Sequence, residues 1–557
     1  MIFASFIFEN IANFKNTDLI KDFFISSLYA ALKNKQLKGQ CVQISNDSFS
    51  LEVQGSKEEI LDLSKTLEDY IPLSLQWVFK ELVLRESFST QGIFKKDSNS
   101  KSHFLTPLEL QQLTSKDSKD FCNLWGNFIH YKQEKITLLQ GATKLDLSDS
   151  VSLKQALEKN AKLLKNGEQI FLKTLYGKYA VILLNEKRKA AETMLRDDFI
   201  FMPFSLENTK LIFKAQEQDL QALATLEKPI LILSPKSIFT EFFPSVFVNV
   251  ILPFEPYLVL LSKFLEEYQG VYLLPLQKLE TKQKLENGIC EFVESTSPLQ
   301  ISVAKNGLVL THNTSPLIPN ANLHALKNTI TNNALIRTNA VYLGRQDTHF
   351  LVYFDESFKE ALEFHFESNL RAIIATLESL NATTQSLLKN FTKENEDLIA
   401  HLKSLPKDSI ISKNLLDLVG MAGVLLDLGS QTDLQHAYKQ VLQSAASFMG
   451  QKGPRIDFRL ERDNEGKIYL NTLQTLRSVM SFKLAGVETP LLCFGVLDSL
   501  AEFFANLSRD MNENYQTQGI VICGEMFLNK QFLEQFLHYL PKTSEIYPTE
   551  IMEFTNQ

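Results

Sequence analysis

The most apolar long window of the chain, Phe243–Phe264, is broken by Pro244, Asn249, Pro253, Glu255 and Pro256. A membrane-crossing helix needs about 20 apolar residues whose backbone groups all pair within the segment, and such a density of breakers forbids it. The apolar 44% of the 557 residues must therefore pack against itself, and a chain this long divides into about three or four cores. The opening MIFASFIFENIANF has no basic lead-in and is interrupted by Glu9, so it reads as a first β-strand and not as a signal peptide.

A formal charge of −8 argues against nucleic acid as a partner, because that surface needs a basic footprint to displace counterions. Cys41, Cys122, Cys290, Cys493 and Cys523 are scattered, with no C-x-x-C. They form neither a disulfide framework nor a zinc site, which fits a reducing cytoplasm.

Residues 1–85 alternate strand and helix. Phe49-Ser50-Leu51-Glu52-Val53 has the period of a half-buried strand, and Ser56 with Glu59 has the spacing of a capping box that opens a helix through Leu67. Residues 86–104 are polar and read as a linker. Val151–Leu164 is helical and stops near Asn166-Gly167, Ile170–Leu172 and Pro229–Leu233 read as buried strands, and helices are predicted over Glu356–Leu377, Asn414–Leu428, Asp433–Phe448 and Lys530–Leu540.

No phosphate loop, H-E-x-x-H, G-x-S-x-G or dinucleotide fingerprint occurs. A collinear series of shorter strings does. Ile44–Gly55, ending in Val53-Gln54-Gly55, is followed by Phe121-Cys122-Asn123-Leu124-Trp125-Gly126. Residues 154–180 then carry Gly167, Ile170, Lys173 and Gly177, and after them come Lys228–Leu233 and Val250–Tyr257. The last strings are Leu326-Lys327-Asn328-Thr329, Phe354–Phe366, Asn414–Asp417 and Gly519–Asn529. In this order the chain resembles the HypF family of [NiFe]-hydrogenase maturation proteins, as a degenerate accessory branch of it.

The resemblance implies an α+β multidomain chain. Residues 1–85 would form an acylphosphatase-like ferredoxin fold, and 86–150 a linker with a zinc-knuckle region lacking intact ligands. Residues 151–289 would form a YrdC-like α/β domain, and 290–557 a truncated carbamoyltransferase-like domain of the sugar-kinase/Hsp70-like fold. It also carries over the candidate site residues Asn46, Lys173, Lys327, Asn328, Asp417 and Asn529.

The departures point away from catalysis. Residues 10–24 hold neither the glycines nor the arginine that an acyl-phosphate loop requires. Trp125 replaces a zinc-ligating cysteine, leaving Cys122 alone. Asp197 and Asp198 sit where the family places phosphate-neutralising cations. Glu525 occupies a glycine position at which backbone must approach phosphate. The nine histidines include no i, i+4 metal pair.

The expectation is a cytoplasmic, non-catalytic accessory factor that docks the hydrogenase large subunit or other maturation proteins. Metal, nucleic acid and membrane insertion are excluded, and no cofactor is expected beyond a possible residual ATP site. The alternative is an active carbamoyltransferase using ATP and carbamoyl phosphate.

Overall fold

The computed structural model describes residues 1–11, 18–94, 104–115, 138–140, 143–145, 150–174, 176–184, 199–275, 298–406 and 408–555. They form two compact units, Met1–Gln300 and Ile301–Gln557.

The first unit opens with β1 (Ile2–Asn10), α1 (Asp18–Asn34), β2 (Lys38–Ser45), β3 (Ser48–Gly55), α2 (Lys57–Tyr70) and β4 (Trp77–Arg85). The strands pair antiparallel in the order β2-β3-β1-β4, a split βαββαβ topology. Register follows the period-2 pattern. Phe8 lies opposite Phe49 and Phe6 opposite Leu51, so the aromatic row faces the two helices in one core. The Phe8 and Phe49 rings stack with centroids 5.2 Å apart. The capping box is present: Glu59 N–H donates to Ser56 Oγ at 3.2 Å, and Ser56 N–H to Glu59 Oε2 at 2.7 Å.

The same unit continues with α3 (Pro107–Thr114), β5 (Leu138–Gln140), β6 (Thr143–Leu145), α4 (Ser150–Lys165), β7 (Ile170–Thr174), β8 (Gly177–Leu183), β9 (Ile200–Pro203), α5 (Leu206–Ile212), α6 (Glu217–Ala224), β10 (Ile230–Leu233), β11 (Val248–Val250), α7 (Pro256–Phe264) and β12 (Gly270–Pro275). Its strands order as β10-β11-β9-β12-β8-β7-β5-β6. Helix α4 ends where Gly167 turns to φ +84, a conformation that glycine adopts without strain. The window Phe243–Phe264 resolves into β11 and the nine-residue α7, far short of a membrane span. The buried Glu227 carboxylate ties the two modules together. It accepts from Ser74 Oγ at 2.5 Å, Leu75 N–H at 3.0 Å and Gln76 N–H at 3.3 Å.

The second unit carries β13 (Gln300–Val303), β14 (Val309–Thr311), β15 (Thr314–Pro316), α8 (Ala321–Asn332), β16 (Thr338–Leu343), β17 (Thr348–Phe354), β18 (Ser357–Leu362), β19 (Phe366–Glu367), α9 (Leu370–Ser379), α10 (Ala382–Glu394), α11 (Glu396–Ser404), β20 (Ile411–Ser412), α12 (Leu415–Leu425), α13 (Leu434–Ser447), β21 (Leu460–Arg462), β22 (Ile468–Leu470), α14 (Thr472–Leu484), α15 (Thr489–Tyr515), β23 (Ile520–Cys523), α16 (Lys530–Tyr539), β24 (Ile546–Pro548) and β25 (Glu553–Thr555). Its main sheet runs β18-β17-β16-β23-β24, with β16, β23 and β24 parallel. Alternation along the parallel strands splits their side chains. Ala340, Tyr342, Val521 and Cys523 meet α8, while Val341, Leu343, Ile520 and Ile522 join the large helical core.

The predicted helices at 414, 433 and 530 appear as α12, α13 and α16, started by Asn414, Asp433 and Asn529 as side-chain caps. The helix predicted over Glu356–Leu377 does not. Asp355 and Glu356 take φ +48 and +59, closing a tight hairpin that pairs Phe354 with Ser357 and Tyr353 with Phe358. Only the end of that span, from Leu370, is helical, as α9. The string Leu326–Thr329 lies within α8. Helix α15 is long and apolar enough to cross a membrane by length and composition, and 72% of its apolar window is buried within the protein.

Candidate functional site

In a sheet with parallel strands, ligands gather beyond the carboxyl ends of those strands. Here those ends are the loop Gly344–Asp347 after β16 and the turn Gly524–Leu528 after β23. Gly524 sits at φ +109, and a Cβ there would lie 2.2 Å from the Leu343 carbonyl oxygen. Only glycine allows the two strand ends to approach this closely.

The residue after that glycine fills the space. Arg345 Nε donates to Glu525 Oε2, and the Glu525 side chain is 11% exposed. Burial raises the Glu525 carboxyl above its ordinary value, and Arg345 opposes the rise. Glu553, on β25, is raised by burial and opposed by Arg345 and Lys439. Tyr438 lies buried among these charges with its hydroxyl 3.2 Å from Met526 Sδ.

A second layer holds the arginine loop. Asn414 Nδ2 donates to the Arg345 carbonyl at 2.6 Å. Gln435 Nε2 donates to Asp417 Oδ1 at 3.3 Å, and Ser412 Oγ to Asp417 Oδ2 at 2.7 Å. Burial raises the Asp417 carboxyl, and these two bonds oppose it. On the other side of the loop, His349 Nε2 lies 3.0 Å from Asp347 Oδ2 and Nδ1 3.2 Å from Glu360 Oε1. Burial disfavours the imidazolium, but bonds and charges from Asp347 and then Glu360 outweigh it, so the His349 pKa is raised.

The cluster therefore sets Arg345 and Lys439 against the carboxylates Asp347, Asp417, Glu525 and Glu553. The arginine is already committed to Glu525, which cancels the cation that a phosphate would seek.

Of the residues singled out from sequence, Asp417 belongs to this cluster. Asn529 lies on the same turn, but its Oδ1 accepts from Phe532 N–H at 3.0 Å and caps α16. Lys327 and Asn328 are on the exposed face of α8, whereas Leu326 and Thr329 are buried. Asn46 is exposed in the turn between β2 and β3. Lys173 is in β7, opposite Lys178, and its side chain lies outside the described residues, as do Cys122, Trp125, Asp197 and Asp198. No group of three or more metal-ligating side chains occurs among the described residues. Sequence reasoning missed Arg345, Tyr438, Lys439 and Glu553. The one local signal was Gly344-Arg345 directly after an apolar strand.

No protein-family model matches the chain. Its fold is that of HypF: it matches the crystal structure of T. kodakarensis HypF with a TM-score of 0.67 and 10% identity, over 99% of this chain and 96% of that one. Full-length HypF in its phosphate- and nucleotide-bound form matches with a TM-score of 0.62 and 12% identity, over 99% and 96%. Protein HydE of Wolinella succinogenes is 30% identical over 540 residues, 94% of this chain and 95% of that protein. The chain belongs to the HydE family.

Proposed function

We propose that the protein is a non-catalytic accessory factor of [NiFe]-hydrogenase maturation, a HypF-fold scaffold that docks the hydrogenase large subunit or other maturation proteins in the cytoplasm. In this reading the βαββαβ module is acylphosphatase-like, residues 151–289 are YrdC-like, and 290–557 are a truncated carbamoyltransferase-like domain. Each has lost the groups that handle phosphate and keeps the apolar framework.

The observation that carries the reading is the Arg345–Glu525 pair. It places a carboxylate at the carboxyl end of β23 and pairs it with Arg345. A nucleotide triphosphate entering there would have to break a partly buried ion pair and then face Asp417 and Glu553. The test is calorimetric titration of the full chain with Mg-ATP, alone and with carbamoyl phosphate. No saturable heat is expected. Micromolar binding abolished by Lys173→Ala, or ATP turnover in the presence of carbamoyl phosphate and a partner thiol, overturns the reading in favour of an active carbamoyltransferase.

A further inference from the structure

Strand β4 is the outer strand of its sheet, and no described residue pairs its free side. Nine residues of unpaired edge present a row of N–H and C=O groups that a further strand can complete. Its side chains are unusually apolar for such an edge: Phe79 is 55% exposed, Leu82 47% and Leu84 70%. Phe79 is held in place by the Phe6 and Phe8 rings, at 6.3 and 5.9 Å.

The spacing of these residues depends on a bulge. Ile7 pairs with Glu81 and Phe8 with Phe79, leaving Lys80 as the extra residue. Phe79 and Leu82, three apart in sequence, therefore fall on one face with Leu84, and Val78 and Val83 fall on the other. A bulge that usually turns an edge away here aligns its apolar row.

We propose that this edge is the docking surface for a second copy of the chain, paired antiparallel β4 to β4 with Lys80 opposite the partner's Glu81. In that register Phe79 faces the partner's Leu82, Leu84 faces the partner's Trp77, and Val78 faces the partner's Val83. Every facing pair then shares a face of the joined sheet, and the two central positions carry opposite charges. Slipping by one residue sets Glu81 against the partner's Glu81 and Lys80 against the partner's Leu82, which mixes the faces. The Lys80 ammonium already bonds Glu9 at 2.9 Å, with both side chains about half exposed, and it retains donors for a second carboxylate. Glu81 has no ion-pair partner among the described residues. The pairing would give a continuous eight-stranded sheet about a two-fold axis.

The test is sedimentation of the full chain at micromolar concentration. Wild type is expected to sediment as a dimer. Lys80→Glu and Glu81→Lys each place like charges across the axis twice, and each is expected to weaken self-association at least about tenfold. Mixing these two variants restores opposite charges at both contacts, so the mixture is expected to regain the dimer. Circular dichroism of each variant confirms folding, and the mixing experiment needs no wild-type reference. A wild type that stays monomeric, variants that dimerise as wild type does, or folded variants that fail to pair when mixed would each overturn the proposal.

Discussion

Replacing Arg345 with alanine would leave the Glu525 carboxylate largely buried, beside Glu553 and without its strongest donor. Removing one partner of such a pair costs the desolvation of the group left behind, so Arg345→Ala is expected to destabilise the second unit by about 1–3 kcal/mol in urea titration. Glu525→Gln should cost less, and the double variant less than Arg345→Ala alone. His349 gives the site a pH dependence. Its folded pKa is raised, so above the ordinary histidine value the native state holds a proton that the unfolded chain has released. Its contribution is full below about pH 6.5 and is lost as pH rises through the folded value. Thermal stability should therefore fall across that window, and His349→Gln should flatten the fall. At this scale the sequence spoke unevenly. Asp417 was reached through its string, but Arg345 and Glu525 meet only because β16 and β23 pair across 180 residues, and no local pattern announces that contact.

Among the elements, side chains that act within one turn of their own backbone were the readable ones. Ser56 with Glu59 stands where the sequence put it, and the helices predicted from Asn414, Asp433 and Lys530 start there on the side chains of Asn414, Asp433 and Asn529, because a cap bonds residues two or three positions away. The first part of the predicted helix Glu356–Leu377 is a strand, and its charges and apolar residues fit a helical period as well as an extended one. What decided it was pairing with β17, supported by two non-glycine residues in left-handed conformation at Asp355 and Glu356. Asn529 tests whether a string match marks a ligand contact or a cap. Asn529→Ala is expected to cost about 0.5–2 kcal/mol of stability, with Asn529→Asp close to wild type. A large functional loss at unchanged stability would instead return Asn529 to the site.

For the molecule as a whole, the order of short strings carried more information than any single one. Collinearity across the chain corresponds to the HypF fold over 99% of its length and to 30% identity with HydE over 94%. Pairwise geometry was not readable in the same way, because the interior of each unit is made by residues hundreds of positions apart. The functional claim likewise belongs to the whole chain: maturation would depend on its presence and shape and not on Asn46, Lys173, Lys327, Asn328 or Asp417 as chemical groups. The most direct measurement is hydrogen-dependent viologen reduction in cells lacking the gene. These would be complemented either with wild type or with a variant carrying Asn46→Ala, Lys173→Ala, Lys327→Ala, Asn328→Ala and Asp417→Asn. Activity and large-subunit processing are expected to be lost in the deletion and restored equally by both genes. Restoration by wild type alone, with the variant present at the same level, would contradict it.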